Sequence, residues 1–314
     1  RAFIVALLVC VATARQFAVS GISSGGAMAI QMHVAFSADV IGAGIVAGPA
    51  YWCAQGKETT ATTNCMSLPV KINVTTLTTY ANQQSSKGTI DNVSNLKDDK
   101  VYLYSGKVDT VVQQGSVKKS QQFYEAFIPT AQISTEYDIM SQHTFPTLTY
   151  GNACTILGSP YISKCNYDGA GAIFKTIYGS GIKASVAPVS SSLYSFSQKT
   201  YGSSTAMMMD TGYIYVPAAC KGVECQVHVA LHGCSQNETK VGLDFISDAG
   251  YNGWAEANSI VVIYPQATSS LISNPNGCWD WWGFTGADYA LKSGKQMQAV
   301  YKMVQTLPTN LSPA

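Results

Sequence analysis

The chain has 314 residues, a formal net charge of +1 and a charged fraction of 12%, which is about half the usual share. Because no basic stripe accompanies this near-neutral charge, the composition argues against a nucleic-acid partner. The length suits one large α/β domain or two small ones, and a sparsely charged, tyrosine-rich surface suits a secreted protein that contacts a neutral substrate.

Residues 1–14 are typical of a secretory signal peptide. Arg1 precedes an apolar run over residues 3–11, and Ala12-Thr13-Ala14 has the small-x-small pattern of a signal-peptidase site. The run is too short to span a membrane as a helix, and no initiator Met precedes it, so we expect the sequence to begin inside the pre-sequence. A buried N-terminal helix is the alternative. We therefore predict a secreted protein with one catalytic domain over residues 15–314.

The first elements of that domain surround a serine. Residues 16–19 predict a short buried strand, and residues 27–32 predict the opening of a helix. Between them, Gly21-Ile22-Ser23-Ser24-Gly25 fits the G-x-S-x-G nucleophile elbow, a sharp turn that exposes the serine hydroxyl. The two glycines are needed because a Cβ would clash where strand and helix backbones nearly touch. A Gly/Ser-rich loop is the alternative, but the strand and helix on either side make Ser23 the candidate nucleophile.

Strands continue to alternate with helices after the elbow. We predict strands at residues 40–46, 100–104 and 133–137, with a helix near residues 116–127. An open α/β sheet gathers its site in the loops at the carboxyl ends of its strands. Partners for Ser23 are therefore expected in the loops that follow the later strands.

A serine nucleophile needs a base, usually histidine, and the chain has four histidines. His33 lies on the helix after Ser23, roughly 15 Å away by helical rise, too far to touch the hydroxyl. His228 lies inside an apolar stretch, where a structural role is expected. His143 lies in a loop after a predicted strand, and we predict that it is the base; a surface loop histidine is the alternative.

The third member of a triad orients the imidazole and stabilises its positive charge. In an α/β-hydrolase it falls between the serine and the histidine in chain order. Asp109 follows the strand at residues 100–104 and is the predicted carboxylate. Asp138, which ends the strand leading to His143, is the alternative.

The second half begins after a Ser/Gly-rich stretch at residues 179–201, the expected junction between two halves. Predicted strands occupy residues 212–216, 226–231 and 259–264, and predicted helices lie near residues 245–258 and 286–306. Alternating strands and helices argue for a doubly wound, mostly parallel sheet. Since neither half has enough strands to close a sheet alone, we expect one domain.

The oxyanion hole indicates a change in chain order. In these hydrolases it combines the amide after the nucleophile, here that of Ser24, with one from an earlier loop that is often marked His-Gly. His232-Gly233-Cys234 provides such a loop, but after the triad. Moving residues 212–314 in front of Arg15 restores the ordinary α/β-hydrolase order, in which the strand with the His-Gly loop precedes the elbow strand. We therefore predict a circularly permuted α/β-hydrolase with Cys234 as the second oxyanion donor.

Eight cysteines remain once the predicted signal peptide, with Cys10, is removed. An even number in a secreted chain indicates four disulfides, although eight cysteines allow on the order of a hundred connectivities. Close spacing favours the pairs Cys53–Cys65, Cys154–Cys165 and Cys220–Cys225, which leaves Cys234–Cys278. Metal binding is not indicated, because the cysteines form no C-x-x-C pair and no His lies at ligand spacing.

Four N-x-S/T sequons accompany the cysteines and are expected in surface loops. They begin at Asn73, Asn92, Asn237 and Asn310. If the host glycosylates, they fit a secretory route.

Longer segments carry a family resemblance. They are residues 20–26, 105–110, 143–146, 159–170, 229–234 and 274–281. With these segments, nearly the whole mature chain resembles the fungal-type extracellular poly(3-hydroxybutyrate) depolymerases. The resemblance implies a circularly permuted single-domain α/β-hydrolase, a triad of Ser23, Asp109 and His143, and oxyanion donors at Ser24 and Cys234. It also matches Trp281 to a tryptophan that lines the family's substrate crevice.

The predicted reaction is hydrolysis of ester bonds in poly(3-hydroxybutyrate) or related oligomers through an acyl-enzyme, with no cofactor. Trp279, Trp281, Trp282 and Phe284 form an aromatic cluster that is either core or an apolar wall for the substrate. A feruloyl or acetylxylan esterase on the same fold is the alternative activity, and an inactive hydrolase that serves as a binding protein is a third hypothesis. The expected partner is a polyester or a small ester, and no nucleic-acid or membrane partner is expected. We expect the protein to be a monomer.

Overall fold

A computed structural model describes residues 14–314, so residues 1–13 of the predicted signal peptide lie outside the described residues. Within that range the strands are β1 Phe17–Ile22, β2 Val40–Val46, β3 Lys100–Tyr104, β4 Ile133–Glu136, β5 Phe145–Thr147, β6 Asn152–Ala153, β7 Ile162–Lys164, β8 Leu193–Ser197, β9 Thr211–Tyr215, β10 Gln226–Leu231, β11 Ile260–Tyr264 and β12 Leu311–Pro313. The α-helices there are α1 Ser24–Ala35, α2 Glu58–Thr60, α3 Val74–Ser86, α4 Gln114–Glu125, α5 Gly169–Tyr178, α6 Glu238–Val241, α7 Asp244–Asp248, α8 Tyr251–Asn258 and α9 Lys295–Gln305. A π-helix, Ala61–Ser67, continues α2.

Nine strands form the main sheet in the order β12-β8-β9-β11-β10-β1-β2-β3-β4. The strands from β11 to β4 in this order run parallel, while β9, β8 and β12 add antiparallel strands at one edge. Every residue of β1 and β11 is buried, as expected for strands covered on both faces. The mostly parallel α/β sheet predicted from the sequence is confirmed.

Helices cover both faces of this sheet. Alternate residues of β1 belong to different hydrophobic clusters, with Phe17 and Val19 in one and Ala18 and Ile22 in the other. The first cluster includes α1, α3, α4 and α9, and the second includes α5, α7 and α8. The period of two along a strand thus distributes side chains to two separate core layers.

The chain order in the sheet is that of a permuted hydrolase. The elbow strand β1 pairs on one side with β2, which follows it, and on the other with β10 from the C-terminal part. The end of α9 lies beside the start of β1: the Arg15 amide donates to Gln305 Oε1 at 2.7 Å, and Gln305 Nε2 donates to the Arg15 carbonyl at 3.0 Å. In an unpermuted chain this helix would lead directly into the elbow strand.

Several expectations about elements need correction. The stretch at residues 179–201 is no simple junction, because it contains β8, which pairs with β9 and β12. The helix predicted near residues 245–258 is divided into α7 and α8 at Gly250, whose φ of 95° a helix cannot accommodate. The last predicted helix begins only at Lys295, since turns occupy most of residues 286–294.

Two longer helices, α3 and α5, were not predicted, and neither were the short helices α2 and α6. Helix α3 is mostly Thr, Asn, Gln and Ser, and buries only Leu77, Ala81 and Gln84, so its apolar period is weak. Helix α5 opens with Gly169-Ala170-Gly171, a poor helix former, and is started by Asp168, whose side chain accepts a hydrogen bond from the Gly171 amide. Their polar and small residues conceal the helical pattern in the sequence.

The four disulfides join Cys53–Cys65, Cys154–Cys165, Cys220–Cys225 and Cys234–Cys278, which confirms the pairing predicted from spacing. One sequon expectation is wrong. Asn237 is fully buried, and its Nδ2 donates to the Ala267 carbonyl at 2.9 Å. Asn73, Asn92 and Asn310 are exposed. Among the described residues no helix is long and apolar enough to cross a membrane.

Candidate active site

Ser23 lies on a strained turn between β1 and α1. Its backbone has φ 58° and ψ −120°, a region that residues other than glycine rarely adopt. The turn is held by hydrogen bonds from the Ser23 amide to the Val46 carbonyl at 2.8 Å and from the Ala27 amide to the Ser23 carbonyl at 2.9 Å. The side chain is half-buried and lines a cavity. The hydroxyl is therefore accessible from that cavity.

The two elbow glycines allow this turn to pack against the sheet. A Cβ on Gly21 would collide with the carbonyl of Gly25, and a Cβ on Gly25 would collide with the carbonyl oxygens of Leu231 and His232. Strand β1, helix α1 and the loop after β10 thus approach one another at backbone distance. Any side chain at either glycine would displace Ser23 from the loop that carries Cys234.

Asp109 and His143 come from the loops after β3 and β4 and meet beside Ser23. His143 Nδ1 donates to Asp109 Oδ2 at 2.8 Å, and the two side chains are 9% and 1% exposed. The other carboxylate oxygen, Oδ1, accepts from the amides of Val111 at 2.9 Å and Val112 at 2.8 Å. The carboxylate is therefore fixed on both oxygens, and it holds Nδ1 as the protonated nitrogen of the ring.

Asp138, the alternative carboxylate, lies elsewhere. Its side chain is 93% exposed and pairs with Lys107 at 3.5 Å. Asp138 lies two residues beyond the end of β4, whereas Asp109 is buried and hydrogen-bonded to His143. The structure therefore brings together Asp109 and His143 and leaves Asp138 apart.

The loops that carry Asp109 and His143 are tied to each other. The Val108 amide donates to the Ser141 carbonyl at 3.2 Å, and the hydroxyls of Ser141 and Tyr104 are 2.7 Å apart. Gln142 Oε1 accepts from the amide and the hydroxyl of Thr110. These residues were not predicted from the sequence, since only proximity across the sheet edge reveals them. Burial raises the pKa of Tyr104 well above its usual value, so its hydroxyl stays protonated in this network.

Ser23 and His143 share the cavity without a hydrogen bond between their side chains in the described chain. Catalytic hydrogen bonds are often long before substrate binds and tighten in the complex. His143 Nδ1 is occupied by Asp109, so the ring nitrogen left to act on Ser23 is Nε2.

Two backbone amides next to Ser23 have no protein acceptor among residues 14–314. The Ser24 amide belongs to the first turn of α1, where helix amides have no partner within the helix and the dipole favours negative charge. The Cys234 amide is in the loop after β10 and also lines the cavity. Unpaired amides of this kind can donate to a developing oxyanion.

The loop that carries Cys234 is fixed by His232 and Gln236. His232 Nδ1 donates to the Gly233 carbonyl at 2.7 Å, and His232 Nε2 accepts from the Ala267 amide at 3.1 Å. Gln236 Oε1 accepts from the Gly233 amide at 2.8 Å. Burial lowers the pKa of His232 to about 4, which keeps the ring neutral. Together with the Cys234–Cys278 disulfide, these bonds hold the loop rigid.

The cavity over Ser23 has a volume of about 580 Å³, within the range of small-molecule sites. Its wall includes the predicted tryptophan, Trp281, and the adjacent Trp282. Trp279 is fully buried in the core, so the aromatic cluster divides between core and wall. Two further walls, residues 58–66 and 157–161, were not predicted to line the cavity. The first lies in no sequence motif, and the second overlaps the segment 159–170, to which no role at the site was assigned.

Asp280 holds the two wall tryptophans in place. Its buried carboxylate accepts hydrogen bonds from the amides of Trp282, Gly283, Phe284 and Thr285 and from the Thr285 hydroxyl. Its backbone carbonyl accepts from Gln31 Nε2 on α1 at 3.0 Å. Burial raises the pKa of the carboxyl, opposed by these hydrogen bonds. Asp280 thus connects the helix that follows Ser23 to the aromatic wall.

No group of three or more His, Cys, Asp or Glu side chains able to hold a metal ion is found in residues 14–314. The titratable groups that face the cavity are Glu58, His143 and Tyr161.

The chain as a whole is similar to known proteins. The chain is 43% identical over 294 residues to a poly(3-hydroxybutyrate) depolymerase of Delftia acidovorans, across 92% of this chain and 59% of that protein. It is 41% identical over 308 residues to a polyhydroxybutyrate depolymerase of Talaromyces funiculosus, across 92% of this chain and 88% of that one. This chain thus spans about three-fifths of the bacterial relative's length. No protein-family model matches.

Two solved structures share the fold. One is a PHB depolymerase variant complexed with an R3HB trimer, and the other is the PHB depolymerase from Penicillium funiculosum. Each superposes with a TM-score of 0.86 at 38% sequence identity, covering 92% of this chain and 94% of the other.

Proposed function

The chain belongs to the poly(3-hydroxybutyrate) depolymerase family, and on that premise we propose that it is a carboxylic-ester hydrolase that cleaves poly(3-hydroxybutyrate) or its oligomers. The observation that carries the proposal is one cavity lined by Ser23, His143 and Cys234. Asp109 is hydrogen-bonded to His143 behind that lining, and the Ser24 amide follows Ser23 directly in the chain. Nothing in the relatives favours a carbohydrate ester as substrate.

In the proposed acylation step, His143 Nε2 accepts the proton of Ser23 as Oγ attacks the ester carbonyl carbon. Asp109 keeps Nδ1 protonated and stabilises the imidazolium through the 2.8 Å hydrogen bond. The amides of Ser24 and Cys234 donate to the oxyanion. Collapse of the intermediate breaks the bond between carbonyl carbon and alcohol oxygen, and His143 returns its proton to the departing alcohol.

Deacylation repeats these roles with water as the nucleophile. His143 takes a proton from water, which attacks the acyl carbon, and the same amides stabilise the second oxyanion. Ser23 leaves with the proton from His143, and the product carries a new carboxyl group. The strain stored at Ser23, with φ 58°, keeps the hydroxyl at the cavity through both steps.

The aromatic wall is the proposed contact for the polymer chain. Trp281 is 7% exposed and lines the cavity next to Trp282. An apolar aromatic surface suits the methyl groups of a hydroxybutyrate unit, since burial of such groups is favourable. We propose Trp281 as a substrate-binding residue. We also propose an extracellular location, which the four disulfides support, and a monomer as the working form.

Replacement of the proposed nucleophile tests this function. Ser23→Ala is expected to lower kcat on a hydroxybutyrate oligomer by about 10⁶, since the chemistry then lacks its nucleophile. Clearing of a polymer suspension measures the same loss of activity. A fluorophosphonate probe should label the wild-type enzyme but not Ser23→Ala. Methyl ferulate and acetylated xylan serve as comparison substrates. Preferred cleavage of either over the oligomer, or full activity of the variant, would contradict the proposal.

A further inference from the structure

One wall of the active-site cavity is formed by residues 58–66. Four residues of α2 and the π-helix that continues it line the cavity from successive turns, so one face of this segment borders the cavity: Glu58, Ala61, Thr62 and Met66. The Cys53–Cys65 disulfide ties the segment to the loop after β2. π-Helical turns occur frequently at functional sites, and here the turn presents a fixed set of side chains.

The charges along the cavity are unbalanced. Among the described residues that line it, Glu58 is the only one with a formal charge, and none is Lys or Arg. Glu58 is exposed and has no ion-pair partner within 4 Å in residues 14–314. His143 is already paired with Asp109. Along the described lining, Glu58 is therefore the one carboxylate that faces the cavity without an ion-pair partner.

A negative charge at a cleft discriminates between otherwise similar esters. A neutral ester segment is not repelled by the charge of Glu58, whereas a substrate carboxylate is. The low-dielectric walls of a cleft strengthen the electric field inside it. Carboxylates are ordinarily received by Arg or Lys, and this cavity lacks both along its lining. A polyester chain is uncharged along its interior and carries a carboxylate at one end only.

We propose that Glu58 is a specificity-determining residue that excludes carboxylate-bearing ends from the crevice, so that the enzyme prefers uncharged ester segments. This rests on the proposed ester hydrolysis at Ser23. The same repulsion acts on the carboxylate formed by deacylation and favours its departure. The substrate class is thus a neutral hydroxyalkanoate segment, with free-acid oligomers as poorer substrates than their alkyl esters.

The test compares matched neutral and anionic esters. One pair is the methyl ester and the free acid of a 3-hydroxybutyrate trimer, and the second pair is p-nitrophenyl hexanoate and the mono-p-nitrophenyl ester of adipic acid. For each pair the ratio of kcat/KM, neutral over anionic, is measured for the wild type, for Glu58→Gln and for Glu224→Gln. Glu224 is an exposed carboxylate near Arg15. It precedes the amino-terminal end of β10 and does not line the cavity, so it serves as the matched charge control.

We expect Glu58→Gln to lower this ratio by about three- to tenfold, the size expected for two charges a few ångströms apart when water largely surrounds them, as it does the exposed Glu58. Added salt should lower the wild-type ratio toward the variant's value, because it screens exposed charges. An unchanged ratio in Glu58→Gln, or an equal change in Glu224→Gln, would overturn the proposal. If only the p-nitrophenyl esters react, the polyester function fails while the Glu58 proposal is still decided by the second pair.

Discussion

At the scale of single residues, the hydrogen bonds of the site fix which ring nitrogen of His143 carries the proton. Asp109 uses one oxygen for His143 and the other for two backbone amides. This arrangement selects the imidazole tautomer with a proton on Nδ1 and a lone pair on Nε2. Ser23 supplies the complementary feature, a hydroxyl held at the cavity by a strained backbone. Their roles in catalysis stay predictions until tested by substitution.

Asp109→Asn is expected to lower kcat by about 10⁴ while the fold stays intact. The Val111 and Val112 amides would retain the amide oxygen, so the NH₂ group would face His143 Nδ1 and force the proton onto Nε2. Such a ring cannot accept the proton of Ser23. Steady-state kinetics with a soluble ester measures the loss, and Asp138→Asn is the control, since Asp138 is exposed and paired with Lys107. Similar losses in both variants would contradict the assignment.

At the scale of elements, the reactive groups come from loops at the carboxyl ends of β1, β3, β4 and β10. The sheet order places β10, β1, β2, β3 and β4 side by side, so loops distant in the sequence meet at one edge. The aromatic wall has a different support. It is a loop without regular structure that Asp280 organises through amides that a helix or strand would otherwise satisfy.

Asp280→Asn is expected to raise KM for a hydroxybutyrate oligomer by about tenfold and to change kcat less. The amide oxygen can still accept from Trp282, Gly283 and Phe284, but the NH₂ group would face the Thr285 amide, and an unpaired buried donor costs about 1–3 kcal/mol. The loop would then loosen while Ser23 keeps its partners.

Fluorophosphonate labelling of Ser23 should therefore persist in Asp280→Asn, in contrast to the loss of oligomer binding. Asp210→Asn is the matched control, because Asp210 forms an exposed ion pair with Lys199. A fall in kcat and in labelling with an unchanged KM would show that Asp280 does not act through the wall.

At the scale of the whole molecule, stability depends on buried neutral histidines. His228 is fully buried between the hydroxyls of Ser20 and Tyr178, and burial lowers its pKa from 6.5 to about 3. Burial likewise lowers the pKa of His232 from 6.5 to about 4. In the unfolded chain both rings bind a proton near pH 6.5, whereas in the folded chain they do not. Their contribution to stability is therefore present above pH 6.5 and is lost as the pH falls toward 3–4.

The unfolding free energy is expected to fall by about 1.4 kcal/mol per pH unit for each of these histidines below pH 6.5. In His228→Gln the drop between pH 7 and pH 5 should be smaller than in the wild type by about 2 kcal/mol. Denaturant unfolding at the two pH values measures the difference within each protein, so a lower overall stability of the variant does not affect the comparison. An equal drop in both proteins would contradict the buried neutral state of His228.

The sequence by itself determined the local elements, the elbow, the disulfide pairing and the permuted order. The elbow and three of the disulfides depend on residues close in the chain, and the elements depend on strand and helix periodicity; the strands 40–46, 100–104 and 226–231 were predicted with the observed bounds. The last disulfide followed by elimination, and the permuted order followed from the position of the His-Gly loop after the triad. It also indicated Asp109 and His143, because loops after parallel strands gather at one sheet edge.

Only the tertiary structure decided which side chains meet across long separations. It divided the aromatic cluster between core and wall, buried Asn237, added β8 and β12 to the sheet, and brought Glu58 to the cavity. The physical reason is that packing and burial depend on the whole fold, whereas turn geometry and periodicity depend on neighbouring residues alone. Glu58 lies in no motif, and its charge matters only because the folded chain brings it to the cavity that Ser23 lines, whose described lining contains no Lys or Arg.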